Sequence, residues 1–167
     1  MKTLGDIFIH SIKLPKRNAA FALNRIGMDK VIFYIFLLLV IASIPGLIEQ
    51  IQTNANAQSL QIQSFFFLIF FFIFYYLIMT AALLLGISLI AYLGSWIAAL
   101  TKRKLRYSIL WKMAACITTI PIIIFTVMSF FIDVSIIFLS ISITFHIIVF
   151  IQTIFLYPKR RHLRKRQ

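Results

Sequence analysis

The sequence predicts an all-α polytopic membrane protein: four transmembrane helices, preceded by N-terminal amphipathic interfacial helices. Three observations carry that expectation. Apolar side chains make up 62% of the 167 residues and aromatic rings 16%, more than a water-soluble globule with its polar surface carries. These residues gather into uncharged stretches of the ~20 residues that a helix needs to cross ~30 Å of hydrocarbon. Finally, 17 Lys and Arg stand against 4 Asp and Glu, and the cations collect at the ends of those stretches. The long uncharged runs between them exclude a DNA-binding reading of the +13 net charge, and the lone Cys116 excludes a disulfide scaffold.

Residues 1–30 read as cytoplasmic amphipathic surface helices and not as a cleavable signal, being long, polar in patches and without a small-residue cleavage site. Lys2, Asp6, His10 and Lys13 form one polar stripe, and Leu4, Ile7, Phe8 and Ile12 fill the opposite face. Pro15 breaks the pattern. A second segment sets Ala19, Ala22, Leu23 and Ile26 against Arg17, Asn18, Asn24 and Arg25, and ends at Gly27. Such helices suit an anionic inner leaflet, and they suit equally the underside of a bundle; the two readings are compatible.

The transmembrane domain is expected over 31–157. Its first span runs from Val31 to Ile48, and the Asn-, Gln- and Ser-rich Glu49–Ser64 reads as a solvated loop. Phe65 to Leu100 holds no charge at all. Residues 65–92 suffice for the second span, leaving 93–100 as a cytoplasmic extension with Gly86 and Gly94 as weak points. The Phe-rich start of this span surrounds the helix and suits lipid contact or bulky packing. Ala81, Ala82, Gly86 and Ser88 offer a place where another helix can approach. The third span covers 108–131 and the fourth 134–157, with Asp133 in the turn between them; 158–167 is a basic tail.

Lys and Arg near span ends stay on the cytoplasmic side. Six cations precede the first span, four lie between the second and third with Lys112 just inside the third, and six follow the fourth. Four spans therefore put every cation on one side and Glu49 and Asp133 on the other, with both termini cytoplasmic. Five spans would separate the Lys102–Arg106 cluster from the tail. Tyr92, Trp96, Tyr107, Trp111 and Tyr157 fall near the cytoplasmic boundary, a depth that amphipathic rings favour. Lys30 leads to Pro45 and Arg106 leads to Pro121, each fifteen residues on. This is either a parallel repeat of helix pairs or a coincidence of prolines, which are common in membrane helices. Both prolines are candidate kinks, with Ser43 and Thr119 placed to satisfy a freed carbonyl.

Chemistry needs polar groups gathered at one depth, and few are present. His146 is the intramembrane polar candidate. With no carboxylate in any span, a neutral imidazole hydrogen-bonded to a neighbouring helix is favoured over a proton relay. Ser88 with His146 evokes a protease dyad, but Leu89 and Ile90 follow Ser88, so the G-x-S-x-G elbow is missing. Ser88 is instead expected to bond its own backbone one turn back. Lys112 is expected to snorkel to the interface beside Trp111. Cys116 and His146 are isolated, and His10 and His162 sit in basic segments, so no metal or cofactor is expected. The tail cations Lys159, Arg160, Arg161, Arg164, Lys165 and Arg166 can hold the chain to anionic lipid at ~1 kcal/mol each, or serve only as a topology anchor. Specific nucleic-acid binding is not expected.

Two blocks carry a family resemblance. One is Ser11-Ile12-Lys13-Leu14-Pro15-Lys16, followed by a span ending in Ser43-Ile44-Pro45. The other is Lys104-Leu105-Arg106-Tyr107-Ser108-Ile109-Leu110-Trp111-Lys112, leading to Thr119-Ile120-Pro121. On these the chain resembles the DUF1189 family of bacterial membrane proteins, which is distantly similar to the Yip1-type proteins and includes members labelled for maltodextrin utilisation. Larger members carry an extended domain between the first two spans, where this chain has only Glu49–Ser64. The resemblance supplies no catalytic residues and implies the bacterial cytoplasmic membrane. The expectation is a non-enzymatic accessory or organising partner of other membrane proteins, or else a small transporter component working as an oligomer. Its partners would be anionic inner-leaflet lipids and another membrane protein or a second copy.

Overall fold

The structure is a computed structural model describing residues 4–56, 66, 69–103, 105–131 and 136–158. Among these residues it is helical, with no strand. The helices are α1 (Leu4–Ile12), α2 (Arg17–Asn24), α3 (Met28–Asn56), a π-helical turn (Phe71–Tyr76) leading into α4 (Leu77–Leu100), α5 (Tyr107–Ile117), α6 (Thr119–Met128) and α7 (Ile136–Phe155). Four stretches are long and apolar enough to cross a membrane: Met28–Glu49, Ile73–Leu100, Tyr107–Met128 and Ile136–Phe155.

The boundaries differ from the sequence reading in instructive places. α3 continues past Ile48 to Asn56, so the first half of the expected loop is helix. Glu49, Gln50 and Gln52 are good helix formers, and they extend a helix already nucleated. α4 is unbroken to Leu100, making 93–100 a direct continuation of the second span. Residues 57–65, Asp133 and the tail cations Lys159, Arg160, Arg161, Arg164, Lys165 and Arg166 lie outside the described residues.

Span three is interrupted at Thr118, where α5 gives way to α6. Pro121 has no N–H to offer the Ile117 carbonyl four residues earlier. The ladder resumes at once, with Thr118 N–H on the Ala114 carbonyl (3.3 Å) and Ile122 N–H on the Thr118 carbonyl (3.1 Å). α3, in contrast, is continuous through Pro45. The nearby hydroxyls do not serve the freed carbonyls: Ser43 bonds the Val40 carbonyl at 2.8 Å, and Thr119 pairs with the Tyr34 hydroxyl on α3 at 3.0 Å.

The core is built around α5. Every residue from Leu110 to Ile117 is buried, because α1, α2, α3, α4 and α7 all pack against this one helix. Span two is the outlying helix, with 11% of its window buried against 56% for span three. Its buried stripe is Thr80, Ile87, Ala91, Gly94 and Ala98. The close approach thus falls below the expected Ala81, Ala82 and Gly86, which are exposed. A Cβ at Gly94 would stand 2.4 Å from the Phe150 ring, whereas one at Gly86 would meet nothing within 4 Å.

The N-terminal helices are part of the bundle. α2 follows most of its expected pattern: Ala19, Leu23 and Ile26 are buried and Arg17, Asn18 and Arg25 exposed, while Ala22 is half-buried and Ala20 is buried in its place. α1 does not. It packs against α3, α5 and α6, burying Ile7 and Ser11 completely and exposing Phe8, Ile9 and Ile12. The Ser11 hydroxyl returns to the Ile7 carbonyl at 2.7 Å, which lets a polar residue face inward. An outward apolar face on a helix that touches the middle of span three suits hydrocarbon, not water.

Candidate functional site

The polar groups that the fold brings together lie at the basic end of the bundle, where α3 and α5 begin and α4 and α7 finish. α4 closes with Lys102 in the left-handed region at φ 52. Lys102 N–H reaches the Ala99 carbonyl (3.0 Å) and Arg103 N–H the Ala98 carbonyl (2.9 Å), a Schellman arrangement in which Lys occupies the position usually held by Gly. This turn aims Arg103 at the end of α7. One guanidinium nitrogen donates to the Phe155 carbonyl at 2.5 Å and also to the Tyr157 carbonyl, and the cation lies 4.8 Å from the Phe155 ring centroid. A cation at a helix C-terminus satisfies orphan carbonyls and opposes the negative end of the macrodipole. Tyr157 packs against Phe21 of α2, with ring centroids 5.1 Å apart and the rings tilted by 49°. Burial pushes its phenol up to about 12, so it stays neutral at physiological pH.

Lys112 repeats the device. Its ammonium donates to the Asn24 carbonyl at 2.7 Å and the Ile26 carbonyl at 2.9 Å, capping the end of α2, and only 7% of the residue is exposed. It does not snorkel away beside Trp111, as its position in span three implied, because a better partner stands closer than the interface. Two sequence signals could have located this cap. α2 has no cation of its own in its last turn, and span three has a Lys with no acid to match it.

Ser88 is tied to span three and not to its own backbone. The Trp111 indole N–H donates to the Ser88 hydroxyl at 3.1 Å, and the Tyr107 hydroxyl points at the Ser88 carbonyl at 3.4 Å. No hydrogen bond joins Ser88 to His146 among the described residues. His146 is 6% exposed, and its ring lies 6.4 Å from that of Phe150 on the same helix. The hydrogen bond expected from a neighbouring helix is not made at Nε2, which is buried without a partner among the described residues. Cys116 is buried and free. No three His, Cys, Asp or Glu side chains come together among the described residues. The cluster can thus fasten helix ends, and no nucleophile and base are placed side by side in it.

The half of the bundle away from the basic end is loosely built. α7 packs on α5 and α4, and a cavity lies between its first two turns and α6. The space between holds about 310 Å³.

The sequence model of one family, described as a protein of unknown function (DUF1189), matches residues 53–158. No curated protein and no solved structure matches the chain.

Proposed function

The chain belongs to the DUF1189 family of proteins of unknown function, and on that premise we propose that it is a non-enzymatic accessory or organising partner of other proteins in the bacterial cytoplasmic membrane. The free face of span two carries this reading. Ile78, Leu85, Leu89, Trp96 and Leu100 are between 59% and 83% exposed, and Ala81, Ala82 and Gly86 are exposed on the same helix. Small residues let backbones come close, and close packing drives association where lipid removes the hydrophobic incentive. A photo-crosslinking residue at Leu85 should therefore capture another membrane protein in intact cells. The same probe at Phe33, on the exposed side of α3, should not. Equal capture at both sites would count against a specific face. The alternative of a small transporter component uses this face for contact between copies. In that case the captured partner would be the chain itself, and His146→Ala would abolish transport.

The distribution of cations supports termini in the cytoplasm, with the tail and the capped helix ends against anionic lipid. Single cysteines at Asn56 and Asp133, in a Cys116→Ala background, should react with a membrane-impermeant thiol reagent on intact cells. Cysteines at Lys102 and Arg164 should react only after permeabilisation. Labelling at Lys102 from outside would overturn the orientation.

A further inference from the structure

Between α6 and α7 lies a cavity of about 310 Å³, lined by Pro121, Ile122, Phe125, Ile136, Phe138 and Leu139, together with Ser142. It adjoins a second cavity of about 170 Å³ that reaches Leu39, Ser43 and Tyr76 between the first two spans. Ile122, Phe125 and Leu139 line both. The rings of Phe125 on α6 and Phe138 on α7 meet here with centroids 6.3 Å apart.

We propose that this wedge is a binding site for one long alkyl chain, entering sideways from the bilayer between spans three and four. Three properties of the site select that occupant. The wedge lies within the apolar length of two spans, so hydrocarbon and not water stands at its mouth. Its walls are aliphatic and aromatic, and a cavity of ~150 Å³ with such a lining already holds benzene and stays dry. The two cavities adjoin across the shared Ile122, Phe125 and Leu139, and the joined space suits a long chain better than a compact ligand. Ser142 makes no hydrogen bond among the described residues, and no charged side chain among them lines the cavity to hold a headgroup. The chain, not the head, is therefore what the site recognises. That chemistry can come from a membrane phospholipid or from a free fatty acid.

The test uses the full-length protein in phosphatidylcholine vesicles. One arm carries a trace of phosphatidylcholine with a diazirine in its acyl chain, and the other carries diazirine palmitate. After irradiation, label is located by peptide mass spectrometry. Residues 121–125 and 136–142 should be labelled about tenfold above the exposed Phe33, Phe36 and Leu37 of α3, a preference of ~1.4 kcal/mol. Leu139→Trp, which fills the wedge, should bring the label down to the α3 level, and Ile122→Trp should do the same if Leu139→Trp fails to insert. Leu37→Trp on the exposed side of α3 should leave it unchanged. Preference in the first arm alone identifies a phospholipid chain; preference in the second alone identifies a free fatty acid. Even labelling of all spans, label that persists in both Trp variants, or crosslinked copies of the protein in place of lipid adducts would each overturn the proposal.

Discussion

Gly94→Leu should drive span two away from span four and lower the stability of the detergent-solubilised protein by at least ~2–3 kcal/mol, the upper range for overpacking. The Cβ alone would stand 2.4 and 2.6 Å from two carbons of the Phe150 ring and 3.5 Å from Ile154, and both neighbours are buried. Leucine adds three further carbons with nowhere to go. Gly94→Ala should be far milder, because the ring has only to yield to a methyl while the helix gains ~1 kcal/mol of propensity. The contact is identified by rescue: Gly94→Leu combined with Phe150→Ala should recover most of the loss, since neighbours of this kind do not add. Thermal aggregation midpoints of the four proteins give the answer. A double variant no better than Gly94→Leu alone would place the damage elsewhere.

Lys112→Met should release the N-terminal helices. The substitution keeps most of the side-chain volume and removes both hydrogen bonds from the ammonium to Asn24 and Ile26. Bonds to a charged group contribute ~1.5–3 kcal/mol each, and the two carbonyls left behind bear the cost of burial. A total loss of ~3 kcal/mol is expected, concentrated on α2 and its junction with α3. Limited trypsin digestion reads this directly: cleavage after Arg17 and Arg25 should accelerate strongly in Lys112→Met and less in Lys112→Arg, which keeps donors in place. Unchanged cleavage in the Met variant would show that α2 is held by its apolar face alone.

The four spans were legible because hydropathy and length are one-dimensional quantities. Which side of a span faces inward was not. In water, a buried face is the apolar one; in lipid, core and surroundings are equally apolar, so periodicity loses its meaning. Gly86 and Gly94 look alike in sequence, yet one faces open space and the other a phenyl ring. α1 shows the failure most plainly. Leu4, Ile7, Phe8 and Ile12 read as its inward face, yet of these only Ile7 is fully buried; Ser11 turns inward beside it, with its hydroxyl bonded to Ile7, and Phe8, Ile9 and Ile12 turn out. The capping roles of Arg103 and Lys112 were hidden for another reason: each serves a helix end more than fifty residues away in sequence. The freedom of His146 Nε2 was equally invisible, since it depends on what other helices fail to offer.

The central place of α5 bears on how the chain is made. Spans one and two are synthesised before 107–117 exist, so their inward faces have no α5 to pack against until that helix is made. Tyr34 waits 85 residues for Thr119, and the carbonyl of Asn24 waits 88 for Lys112. At ~5–20 residues per second that interval is on the order of ten seconds. During it the nascent protein is a set of separate helices that a chaperone or a membrane protease can engage. The bundle can close only when its third span arrives.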